Sequence, residues 1–131
     1  MFKTVKMSKT ILMTASILLA LAVAIGAFGA HGLKSHVSGE MLQNYKTGVE
    51  YHFYHALGLL LIGVLAISMP SAYLKWSAIL FTAGIVLFSG SLYVLAVTGI
   101  KTLGAITPLG GLSFIAGWIL LFVGVWKKLP V

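Results

Sequence analysis

Four stretches of this chain, residues approximately 11–30, 51–69, 76–97 and 108–126, contain no Asp, Glu, Lys or Arg and consist mainly of Leu, Ile, Val, Ala and Gly. At about 1.5 Å per helical residue, each is long enough to cross a hydrocarbon layer of roughly 30 Å. Lipid offers free backbone amides and carbonyls no partner, so each stretch must be helical. Composition closes off a water-soluble globule: of 131 residues, 60% are hydrophobic and 8% charged, whereas soluble domains carry about a quarter charged residues. Mean hydropathy is +1.05. The expected fold is all-α, an integral membrane four-helix bundle forming a single transmembrane domain over residues 1–131.

Connections between the stretches are short except the first, "HGLKSHVSGEMLQNYKTGVE". Its second half has Ser38 as a cap, Glu40 in a first turn, and Met41, Leu42, Tyr45 and Val49 along one face, which predicts a short interfacial helix leading into span two. Pro70 closes span two. Thr107 and Pro108 read as the N-cap and first helical residue of span four.

Orientation follows from the lysines, which supply all nine basic residues and much of the net charge of +7. With four spans both termini share a side, and Lys3, Lys6, Lys9, Lys75, Lys127 and Lys128 fall there, against Lys34, Lys46 and Lys101 opposite. The positive-inside rule therefore puts both termini in the cytoplasm of a plasma-membrane protein. Trp76 and Trp126 at that side, and Tyr45, Tyr51 and Tyr54 at the other, fit aromatic belts. A cleaved signal peptide is the rival reading of the basic start and first apolar run, whose length of about twenty residues favours a retained span. The lysines are dispersed rather than clustered with aromatics, which argues against nucleic acid as a partner. The chain has no cysteine, so disulfides, thiolate metal sites and cysteine nucleophiles are excluded.

The unusual side chains gather at the end of the spans away from the termini. Span one delivers "GAFGAHG", Gly26 to Gly32, with His31. Span two begins with Glu50, Tyr51 and His52, with His55 one turn deeper. Span three brings "FSGSLY", Phe88 to Tyr93, and span four opens on "TPLGG", Thr107 to Gly111. Two readings of this layer stand side by side. In one, Gly26, Gly29, Ala30, Gly90, Gly110, Gly111 and Gly117 are helix-packing positions, with Gly110, Gly117 and Gly124 on one face, and the polar groups are interfacial anchors. In the other, the small residues open an outer-leaflet cleft lined by His31, Glu50, Tyr51, His52, His55, Ser89, Ser91, Tyr93 and Thr107, because ionisable groups in a bilayer tend to face a cavity.

Chemistry beyond binding has little in its favour. Two histidines three residues apart with Glu50 or His31 could ligate a metal, or His31 and His55 a haem, yet neither Glu-x-x-His nor His-Glu-x-x-His spacing is present. No cofactor, metal or catalytic residue is therefore assigned. Ser89 and Ser91 share a depth with His55, but neither sits in a nucleophile elbow. A proton-coupled transporter needs an ionisable group near mid-membrane, and spans one, three and four have none between their ends.

The motifs "GAFGAHGLK", "EYHFYHALGLL", "FSGSLYVLAVTG" and "LGAITPLGGLSFIAGW" resemble the domain of unknown function 423 family, small four-helix membrane proteins that include relatives of transmembrane protein 256. The likeness extends from about Ile11 to Trp126. Motif positions kept here are Gly26, Gly29, His31, Gly32, Tyr51, His55, Ser89 to Tyr93, Thr107, Pro108, Gly110 and Gly111. The resemblance implies four membrane helices and carries no biochemical activity with it. The expected function is a non-enzymatic multi-pass module binding a partner helix, a lipid headgroup or a small ligand at the outer cleft, with a small oligomeric transporter as the alternative. The bilayer, a second copy and a partner membrane helix are the expected partners.

Overall fold

Apolar runs with so few polar interruptions leave the backbone only its own hydrogen bonds, and helix accounts for nearly all of the computed structural model, which describes residues 2–130. Residues 1 and 131 of the expected domain lie outside the described residues. In chain order the elements are α1 (Phe2–Phe28), continued by a π-helical turn (Gly29–Leu33); α2 (Gly39–Ser68); α3 (Ala72–Gly84), a second π turn (Ile85–Ser89) and α4 (Gly90–Thr98); a 3-10 turn (Lys101–Ala105); and α5 (Thr107–Lys128). Among the described residues no strand occurs, and four helical spans are long and apolar enough to cross a membrane: Val5–Leu33, Gly39–Ser68, Ala72–Thr98 and Lys101–Lys128.

Local chemistry sets the boundaries. Ser38 caps α2 by accepting from the Met41 amide at 3.2 Å, and Ser71 caps α3 through the Leu74 amide at 3.3 Å. Pro70 follows the end of α2, as expected. Gly99, at φ 71°, ends α4 in a left-handed conformation that a residue without Cβ adopts freely.

Two expectations are corrected here. No separate interfacial helix exists: residues 39–50 are helical but continuous with span two, giving one helix of 30 residues. Nothing between Ser38 and Pro70 breaks it, because Gly48 is buried beneath the Tyr93 ring rather than set in a turn. Nor does Thr107 cap α5. The preceding 3-10 turn leads into the helix, with the Ile106 carbonyl accepting from Leu109 and Gly110. The Thr107 hydroxyl is bonded across to Ser91 instead.

Successive spans run antiparallel, so both termini emerge at one end. α1 pairs with α2, bringing Ser8 to Gly63 at the terminus end and Gly26 to Val49 at the other. α2 packs on α3, the second π turn and α4, and α3 packs on α5. α1 thus lies at the edge, against α2. Lipid supplies no hydrophobic drive between helices, so close packing through small residues must hold them. The α3 and α5 seam is built this way: Gly84 receives the Phe114 ring, Gly117 the Phe81 ring, and Gly124 Tyr73, while Gly110 meets the backbone of Phe88. A Cβ at Gly117 would lie 2.6 Å from the Phe81 ring. The buried core near the termini contains Ile11, Ala15, Leu59, Ile62, Leu74, Phe81 and Leu121.

Candidate functional site

His55 is 4% exposed and forms the centre of the polar layer. Its Nδ1 lies 2.8 Å from the Tyr51 carbonyl, and its Nε2 lies 3.0 Å from Trp118 Nε1. An indole nitrogen only donates, so Nε2 must accept and the proton sits on Nδ1, where it bonds the carbonyl. The imidazole is neutral with both nitrogens engaged. Its ring stacks on Phe114 at a centroid distance of 3.4 Å and an angle of 8°, and meets Phe81 edge-on at 5.2 Å. Such a ring can neither ligate a metal nor take up a proton without breaking a bond.

A second group lies toward the end away from the termini. His52, 3% exposed, shares a hydrogen bond of 2.9 Å between its Nδ1 and the Tyr93 hydroxyl. Tyr93 packs against Tyr45 with centroids 5.2 Å apart, over the space left by Gly48, where a Cβ would come within 2.8 Å of its ring. The Tyr45 hydroxyl donates to the Ile25 carbonyl, so α1, α2 and α4 are tied in one chain of contacts. Ser91 donates to the Phe88 carbonyl at 2.8 Å, which makes Thr107 the donor in the 2.6 Å bond between their hydroxyls. Among the described residues, His52 Nε2 and the Ser89 hydroxyl are buried and fall outside strict hydrogen-bonding geometry, the first near the Leu18 backbone and the second near the Tyr93 side chain.

The structure thus brings His52, His55, Ser89, Ser91, Tyr93 and Thr107 into the interior of one end. Tyr51 is partly exposed, with its ring 4.6 Å from that of Phe88. His31 and Glu50 are exposed and stand outside the layer. His31 lies within the π turn that continues α1, and Glu50 takes the outward face of α2. The space drawn from sequence as an outer cleft is filled by Phe88, Phe114, Tyr93 and the imidazole of His55 itself. Among the described residues, no three His, Asp or Glu side chains converge as a ligand set, and His31, paired with His55 in the haem alternative, stands exposed outside the layer that holds His55. Of the glycines and alanine expected in packing, Gly29 sits under Tyr45, Gly26 meets Val49 at 3.3 Å, and Gly111 makes ordinary contact with Phe88. Ala30 is exposed. Gly90 has only the Ile85 carbonyl oxygen, at 4.0 Å, near a would-be Cβ. Ala30 faces outward and Gly90 has room for a side chain, so neither is a close seam.

Sequence reasoning missed Trp118, Phe114, Phe81 and Tyr45 as members of the layer. Trp118 carried a signal: a tryptophan in mid-span, away from both interfacial belts, must find an acceptor for its N–H inside the protein. It also missed a groove at the opposite end. There α1 and α3 diverge over a cavity of about 690 Å³ lined by Met7, Ile11, Leu59, Ala78, Ile79 and Val86, with Lys3, Lys6 and Lys75 also on its wall. The divergence is a tertiary feature that hydropathy does not encode.

Comparison with known proteins fits this architecture. A family described as "Protein of unknown function (DUF423)" matches residues 25–111. A UPF0382 membrane protein of Bacillus subtilis, YwdK, is 53% identical over 110 residues, covering 83% of this chain and 89% of that protein. A UPF0382 membrane protein of Staphylococcus haemolyticus is 48% identical over 107 residues, covering 82% and 87%. A counterpart in Staphylococcus epidermidis is 46% identical over 107 residues, covering 82% and 87%. No solved structure matches the chain. With four apolar spans and relatives that are membrane proteins, this chain belongs to the DUF423 family of multi-pass membrane proteins, known also as UPF0382.

Proposed function

We propose that the protein is a non-enzymatic binding module of the cell membrane, with both termini in the cytoplasm, and that the groove between α1 and α3 takes up an amphiphile from the bilayer. The groove carries this reading. Its volume of about 690 Å³ falls within the span of small-ligand sites, and its walls are apolar up to a lysine rim. The lysine excess at the terminus end supports the orientation. The polar layer supports a structural role over a catalytic one, since the nitrogens of His55 and the hydroxyls of Ser91 and Thr107 are all engaged.

Transport has less support. Between the polar layer and the terminus end the interior is Ala56, Leu59, Ile62, Phe81 and Ile85. The hydroxyls at intermediate depth, Ser77 and Ser113, are bonded to the Gly117 and Leu80 carbonyls. A second copy or a partner membrane helix seated in the groove is the competing outcome. Photo-crosslinking with a phospholipid carrying a diazirine on its acyl chain decides between them. Adducts should concentrate at residues 10–14 and 82–86 relative to Ile115 and Ile119, which are also exposed. Equal labelling of both faces overturns the reading.

A further inference from the structure

We infer that the amphiphile is an anionic glycerophospholipid from the leaflet on the terminus side, its phosphate held by Lys3, Lys6 and Lys75 and one acyl chain lying between α1 and α3. The inference rests on the reading of the groove as a binding site and adds the charge, depth and source of its occupant.

The groove is polar at one end and apolar along the rest. Lys3 and Lys6 approach from α1 and Lys75 from α3, all three on the wall of the same cavity. Among the described residues no acidic side chain lines it, and the two acidic residues of the chain, Glu40 and Glu50, lie in the opposite half of α2. Three lysines thus share one groove wall with no acidic side chain among the lining residues. Of the wall threonines, Thr10 and Thr82 spend their hydroxyls on the Lys6 and Ala78 carbonyls of their own helices, each at 2.9 Å. The floor is Leu59, 1% exposed.

Length gives the depth. Lys3 to Thr14 on α1, and Lys75 to Val86 on α3, bound the groove; at about 1.5 Å per residue either run is roughly 16 Å long. Half a hydrocarbon core is roughly 15 Å, so the groove is one leaflet deep and opens at headgroup level. A molecule with a compact anionic end and a tail one leaflet long matches it. Phospholipid is present there as solvent, and the flexible ammonium groups suit a phosphate as point charges. A second copy seated side by side in the same orientation would bring no acidic side chain to the three lysines, because Glu40 and Glu50 lie at the other end. The other lysines at this end, Lys9, Lys127 and Lys128, are not on the groove wall and serve as controls.

The test is native mass spectrometry of the full chain in mixed micelles containing phosphatidylglycerol and phosphatidylcholine with identical acyl chains. Retained phosphatidylglycerol should exceed phosphatidylcholine several-fold. Lys6→Gln or Lys75→Gln should each lower that preference by about fivefold, the effect of one lysine near an anionic headgroup. Lys6→Arg should keep it, as should Lys127→Gln combined with Lys128→Gln. Equal retention of both lipids, displaced together by Thr82→Trp, would overturn the anionic assignment and leave the groove reading intact. A preference that follows Lys127 and Lys128 instead would also overturn it. Absence of retained lipid would overturn both.

Discussion

The indole Nε1 of Trp118, a side chain on the partly exposed flank of α5, donates to Nε2 of the buried His55 at 3.0 Å, joining α5 to α2. Hydrogen bonds between membrane helices contribute about 0.6 kcal/mol on average and up to roughly 2. Trp118→Phe and His55→Phe should each destabilise the protein by about 1 kcal/mol or more, the latter also freeing the Tyr51 contact. In the double variant the losses should fall short of their sum by at least about 0.5 kcal/mol. Reversible unfolding in mixed micelles measures this cycle, and strictly additive losses would show that the pair does not interact.

Gly110 and Gly90 lie near one another in the fold yet should respond in opposite ways to a methyl group. A Cβ at Gly110 collides with the backbone of Phe88, which cannot swing aside, whereas at Gly90 the nearest atom is 4.0 Å away. Gly110→Ala should therefore cost about 1–3 kcal/mol as an overpacked seam. Gly90→Ala, inside a helix, should be neutral or stabilising by up to about 1 kcal/mol. Thermal unfolding of the two variants in one detergent gives the comparison, and equal shifts would contradict the packing described for α5 on the second π turn.

Ser89 is fully buried, and its hydroxyl lies near Tyr93 but outside strict hydrogen-bonding geometry. An unpartnered buried hydroxyl costs about 1–3 kcal/mol. Ser89→Ala should accordingly raise the midpoint of thermal unfolding. A lowered midpoint would reveal a partner for that hydroxyl.

Because the chain has no cysteine, single cysteines report orientation without background. Ser35→Cys and Thr102→Cys, at the end away from the termini, should react with a membrane-impermeant maleimide added to whole cells. Ser68→Cys and Lys128→Cys should react only after the membrane is opened. The reverse pattern would place the termini outside.

The features legible in the sequence are those that depend on one helix at a time. Long apolar runs fixed the spans, Ser38 and Pro70 marked the bounds of α2, and the heptad of Gly110, Gly117 and Gly124 marked the face of α5 that packs on α3. What remained hidden depends on two or more helices. Whether the polar groups enclose a cleft or a filled junction was decided by Phe114 and Trp118, which read as ordinary apolar filler. The π turns at Gly29–Leu33 and Ile85–Ser89 carry no proline and break no hydropathy pattern, so a reading at regular helical pitch does not register them. His31 and Glu50 were grouped with the layer by depth alone, and depth does not say which way a side chain faces.

The length of α2 has a consequence for whatever meets the protein from the side opposite its termini. Thirty residues of unbroken helix amount to about 45 Å, half as long again as the hydrocarbon slab. With the hydrocarbon beginning near Tyr51, the surplus, which bears Glu40 and Lys46, would stand in the headgroup region as a stiff post braced by Tyr45 against α1. An approaching molecule there encounters a fixed rod of known pitch, so its recognition costs little ordering entropy.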